Sequence, residues 1–149
     1  SHTLEKEHEI VDASLERFAR AVTDGLWDLE PLSETLTLLR RHIYVEEEFL
    51  FPPLREAGMV MPILVMLKEH GEIWQLMTRL EDAAAVPGET AELLAISREL
   101  LDLLEKHNAK EEPIVYPEVD LQLSTALASE LHEFLAEGKM PEDWVCEKG

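Results

Sequence analysis

One pattern occurs twice in this chain with every offset unchanged. His42-Ile43-Tyr44-Val45-Glu46-Glu47 precedes Phe51-Pro52, and His107-Asn108-Ala109-Lys110-Glu111-Glu112 precedes Tyr116-Pro117. Upstream of each copy stands a lone histidine in a matching setting, Lys6-Glu7-His8 and Lys68-Glu69-His70. The chain reads as two tandem halves, each supplying one single histidine and one His-x-x-x-Glu. Four imidazoles and two carboxylates make a full donor set for a pair of transition-metal ions. Neutral imidazole together with carboxylate favours iron, manganese or zinc over calcium or magnesium. Either His-x-x-x-Glu alone is a weak signal, and a lone histidine on an apolar face is more often a core residue. The duplication carries the inference.

Helices must position these residues, because helical periodicity runs throughout and strand-like alternation is absent. The first helix is expected from about Thr3, as N-cap, to about Gly25. The second opens near Pro31 and ends before Pro52-Pro53, since proline breaks the backbone ladder. The third runs from near Pro62 to about Ala85, ahead of Pro87-Gly88. The fourth covers about Glu89 to Glu112, its end loosened by Pro113 and Pro117. A fifth, shorter helix covers roughly Leu121 to Glu137 and stops at Gly138, leaving 139–149 as an irregular tail. Short connections between long helices predict an all-α, up-down-up-down four-helix bundle over about residues 3–117, in one domain.

Apolar residues at steps of three and four define the inward stripes. They read Leu4, His8, Val11, Leu15, Phe18 and Val22 on the first helix, and Leu32, Thr35, Leu39, His42, Glu46 and Phe49 on the second. The third gives Ile63, Met66, His70, Ile73, Met77 and Leu80; the fourth gives Leu93, Ser97, Leu100, Leu104, His107, Glu111 and Ile114. All six candidate ligands therefore lie in apolar seams, where an unpaired carboxylate is costly. His8 and His70 fall early in their helices; His42 with Glu46 and His107 with Glu111 fall late. In antiparallel neighbours those ends meet, so the six share one level of the bundle.

Composition narrows the partners. The chain has 149 residues, 13 basic and 32 acidic, for a formal net charge of −19. That excess argues against nucleic acid and anionic membranes as partners. No apolar run reaches the roughly 18–20 residues of a membrane span, and no secretory signal opens the chain. Cys146 is the only cysteine, so no internal disulfide forms, which fits a reducing, cytoplasmic setting. His132 reads as a packing or surface residue. Trp74, one turn past His70, reads equally as a wall of the site or as interhelical bulk. Tyr44 and Tyr116 are candidate pocket donors, and Glu7, Glu47, Glu69 and Glu112 are candidate acceptors for the imidazole N–H groups.

At these residues the sequence resembles the hemerythrin-like, or His-His-Glu cation-binding, family, over about residues 3–120. The resemblance implies a four-helix bundle holding a non-haem di-iron centre with an oxo or hydroxo bridge. It implies His8, His42, Glu46, His70, His107 and Glu111 as ligands. By the same resemblance both glutamates bridge, one iron takes His8 and His42, and the other takes His70 and His107. Two departures matter. Oxygen-carrying members place a histidine where Trp74 stands, and they use an aspartate five residues after the last histidine. Here Glu111 stands at four and Glu112 at five; Glu111 matches Glu46 in the repeat, and Glu112 is the alternative. Fewer imidazoles leave open metal positions, as in sensing, iron-handling and catalytic members. The expected function is binding or sensing of O2, NO or redox state. Alternatives are a di-iron enzyme acting on peroxide or NO or delivering iron, and a metal-free interaction bundle; a homodimer fits the fifth helix.

Overall fold

The computed structural model describes residues 2–149, and these are helical with no strand among the described residues. Helix α1 spans His2–Thr23, α2 Glu30–Val45, α3 Phe51–Glu56, α4 Val60–Ala84, α5 Thr90–Lys110, α6 Tyr116–Gln122 and α7 Thr125–Glu137. A π-helical turn, Glu46–Leu50, joins α2 to α3, and a second, Glu111–Val115, joins α5 to α6. The pairs α2–α3 and α5–α6 are thus continuous rods. α1 packs on α2 and α5, and α4 packs on α5 and α2, which closes a ring of four. The chain leaves α1 through Gly25, whose φ of +87° is left-handed and suits glycine. Thr3 is not a cap: α1 already includes His2, and a capping hydroxyl must come from the non-helical residue before the helix.

The prolines do not end the second and fourth helices as expected. In each π turn the backbone bond reaches one residue further: the Phe51 N–H donates to the Glu46 carbonyl and the Tyr116 N–H to the Glu111 carbonyl. Pro52, Pro53 and Pro117 then fall in the first turn of a fresh α-segment, where a missing N–H costs least. The additional residue rotates everything after it by about 100°. Phe49 and Ile114, expected on the inward stripes, are displaced: Phe49 is half-buried and Ile114 is 50% exposed. Leu50, Phe51, Val115 and Tyr116 take the inward places.

Two apolar layers result. Val11, Leu15, Leu36, Ile73, Met77 and Leu100 belong to the larger; Leu4, Leu50, Phe51, Leu67, Val115 and Tyr116 belong to the smaller. On every rod the candidate ligands fall between a residue of one layer and a residue of the other. The fifth helix is divided from α6 by Leu123 and Ser124, and the Ser124 hydroxyl accepts the Leu127 N–H at 3.1 Å. Arg41 donates to the Phe134 and Leu135 carbonyls near the end of α7, a favourable place for a cation. The tail folds back over the bundle. Trp144 meets Tyr44 and Trp74 edge-on, Cys146 is buried, and the Glu147 N–H donates to Glu47. Gly71 on α4 seats this segment, since a Cβ there would stand 2.5 Å from the Lys148 carbonyl oxygen. No described helix is long and apolar enough to cross a membrane.

Candidate metal centre

The polar layer contains all six residues singled out by spacing. Each His-x-x-x-Glu places its histidine in the last turn of a long α-helix and its glutamate at the first residue of the following π turn. Single π turns recur at functional sites because they redirect side chains without breaking the helix. Glu46, Glu111 and His70 are fully buried; His8, His42 and His107 are nearly so. The donors form two groups whose ligand atoms lie within 4.8 Å of one another. One group is His8, His42, Glu46 and Glu111; the other is Glu46, His70, His107 and Glu111. Both carboxylates are shared. Glu46 Oε2 lies 3.3 Å from His42 Nε2 while its Oε1 lies 3.1 Å from His70 Nε2. Glu111 Oε1 lies 3.2 Å from His8 Nε2 while its Oε2 lies 3.4 Å from His107 Nε2.

The outer ring nitrogens are held by the four glutamates anticipated from their positions. The Nδ1 of His8 is 2.8 Å from Glu112, that of His42 2.9 Å from Glu7, that of His70 2.7 Å from Glu47, and that of His107 3.0 Å from Glu69. An ionised carboxylate accepts, so each Nδ1–H donates and each Nε2 is directed inward. The neighbouring Glu112 thus serves His8 from outside, and Glu111 stands within both groups. Lys110 donates to Glu69, adding one cation at that edge.

Without a metal, protons hold this layer together. Burial alone favours the neutral imidazole of His42, but Glu46 and Glu7 outweigh it and raise the ring to about 10. At His107 burial acts the same way, and Glu111 with Glu69 raises it to about 10. His70 is also raised, by Glu46 and Glu47 against burial. Glu46 is held well below the ordinary carboxylate value: burial opposes its charge, but His42 and His70 prevail. Glu111 is lowered too, by His107 and His8 against burial and the nearby Glu46. Six carboxylates, Glu7, Glu46, Glu47, Glu69, Glu111 and Glu112, surround four imidazoles that are neutral when they ligate. Such a charge balance calls for cations. Fit is visible in the bonding as well: Glu46 Oε1, His70 Nε2 and Glu111 Oε2 are buried and make no contact of hydrogen-bond geometry, although Oε1 and Nε2 lie 3.1 Å apart. Buried orphan donors and acceptors are rare in folded proteins, and a ligand often explains them.

The hemerythrin HHE cation binding domain profile matches residues 1–119. This chain belongs to that family. No curated protein and no solved structure is significantly similar to it. The family match spans both repeats and stops within α6, so α7 and the tail lie beyond it. In this hemerythrin HHE domain the two tyrosines separate. Tyr44 packs among Phe49, Phe134 and Trp144, outside the polar layer. The Tyr116 hydroxyl lies inside the first donor group, 2.7 Å from Glu46 Oε2 and 2.9 Å from Glu111 Oε1. Of the two tyrosines considered as pocket donors, only Tyr116 reaches the donors, and the repeat sets it opposite Phe51. Trp74 packs against Trp144 and beneath the Arg40 guanidinium, in the core next to the tail.

Proposed function

We propose that this hemerythrin HHE domain is a non-haem di-iron protein that binds or senses a small ligand such as O2, NO or a peroxide. His8, His42, Glu46 and Glu111 would hold one ion, and His70, His107, Glu46 and Glu111 the other. The single observation that carries this reading is the pair of four-donor groups sharing both carboxylates inside a buried layer. Iron supplies reversible one-electron chemistry and affinity for diatomic ligands. The protein's part is orientation and exclusion of water. Glu7, Glu47, Glu69 and Glu112 fix each imidazole in the tautomer whose Nε2 is free to ligate. The apolar layers on either side keep bulk water from the donors. Zinc or manganese satisfies the same donor chemistry, so metal identity is a matter for analysis.

Protein grown in iron-replete medium is expected to carry two irons per chain. Its optical spectrum is expected to change on exposure to O2, azide or NO. Two bound irons with no response to any of these would refute the binding or sensing role.

A further inference from the structure

We infer that the two metal positions are unequal: Tyr116 gives a seventh protein donor to the position of His8 and His42, and a small exogenous ligand enters at the position of His70 and His107, faced by Phe51. The inference rests on the di-metal reading above and assigns an order within it.

The donors of the first group lie close together, their ligand atoms within 4.8 Å of one another. His8 Nε2 and His42 Nε2 are 3.0 Å apart, His42 Nε2 and Glu46 Oε2 3.3 Å, and His8 Nε2 and Glu111 Oε1 3.2 Å. Tyr116 Oη meets all four donors, 3.0 Å from His8 Nε2, 3.2 Å from His42 Nε2, 2.7 Å from Glu46 Oε2 and 2.9 Å from Glu111 Oε1. Donors bound about 2.0–2.1 Å from one ion stand about 2.9 Å apart when they are adjacent corners of an octahedron. An octahedral ligand has four such neighbours. The phenol oxygen meets all four at that spacing. Coordination exchanges the phenolic O–H bond for an oxygen–metal bond, and the proton leaves to solvent.

The second group has the same frame without the oxygen. Phe51 stacks on His70 at 5.5 Å and 18°, as Tyr116 stacks on His8 at 5.6 Å and 24°. The two rings occupy equivalent positions of the internal repeat, and they differ by one hydroxyl. Among the atoms of the two donor groups, those that make no regular hydrogen bond, Glu46 Oε1, His70 Nε2 and Glu111 Oε2, lie on this second half. Tyr116 therefore fills one coordination sphere, and Phe51 leaves the other short of a donor behind an apolar face. An uncharged or anionic small ligand finds its vacancy there.

The test uses the full chain loaded with ferrous iron and oxidised in air, with iron counted first. Wild-type protein carrying two irons is expected to show a visible phenolate-to-iron charge-transfer band, with tyrosine ring vibrations enhanced by resonance Raman excitation in that band. Tyr116→Phe is expected to retain both irons, lose the band, and bind a second azide per chain where wild type binds one. Phe51→Tyr is expected to lose azide binding. A two-iron wild type without the phenolate signature overturns this inference and leaves the di-iron reading intact. A band that survives in Tyr116→Phe also overturns it. Failure to take up iron at all overturns both. Should Tyr116→Phe not fold, the wild-type spectrum alone decides.

Discussion

Glu111 and Glu112 are neighbours in sequence with different work. Glu111 offers one oxygen to each donor group, whereas Glu112 accepts from the far side of the His8 ring. Glu111→Gln is expected to reduce the metal bound per chain. Glu112→Gln is expected to keep the stoichiometry and weaken affinity by about 10–100-fold, the usual cost of losing such an orienting contact. Competition against a chromophoric chelator measures both. The imidazoles also set a pH dependence for the metal-free protein. His42 and His107 are raised from an ordinary value of 6.5 to about 10 in the folded state. Their protonated forms are favoured by folding, so this stabilisation is complete below pH 6.5 and is lost as pH rises through about 10. The melting temperature of metal-free protein is expected to fall across that window. Metal-loaded protein, whose ligating imidazoles carry no extra proton, is expected to lack this decline; thermal scans followed by circular dichroism compare the two.

Among the elements, the π turns determine which residues face inward. Leu50 is buried and Ile114 is half exposed, although uninterrupted α-periodicity would put Ile114 on the core stripe. Leu50→Ala is therefore expected to cost about 2–5 kcal/mol, and Ile114→Ala no more than about 0.5 kcal/mol. Denaturant titration separates them, and a large loss at Ile114 would contradict the shifted register. The tail depends on a different element. Gly71 lets the Lys148 backbone approach α4, and the tail in turn buries Cys146 and bonds Glu47. Burial, with Glu47 nearby, pushes the Cys146 thiol up to about 12, so it is unreactive in place. Gly71→Ala is expected to displace the tail, seen as faster labelling of Cys146 by a thiol reagent at neutral pH. Unchanged labelling would mean that the tail accommodates the methyl group.

For the molecule as a whole, the polar layer interrupts what would otherwise be one continuous core. Its donors are satisfied by cations better than by one another, so metal and folding are linked. A metal present at a thousand times its dissociation constant stabilises the folded state by about 4 kcal/mol. For a chain of this size that corresponds to roughly 10 °C in melting temperature. Chelation is expected to lower the melting temperature by about that amount while helical circular dichroism at room temperature persists. An unchanged melting temperature in protein shown to have contained metal would break the link between site and stability. The remaining acidic excess lies mostly at the surface and sets solubility rather than fold.

Much was legible in the residues alone. The repeat of His-x-x-x-Glu, the lone histidines before it, and apolar steps of three and four specified helices, their order and one shared polar level. Those signals are local and periodic, and a helix conserves them on folding. Even the adjacent glutamates, Glu7, Glu47, Glu69 and Glu112, could be named before their partners were known. Pairing each with its histidine needed the tertiary structure, because His8 takes Glu112 across 104 positions of sequence and His70 takes Glu47 from another rod. The π turns were hidden too, since one additional residue per turn leaves composition untouched and the prolines read as stops. That single register shift exposes Ile114 and carries Tyr116 into the donor group. Sequence fixes which side chains exist and their spacing along a helix; only packing of the rods decides which oxygen arrives beside which nitrogen.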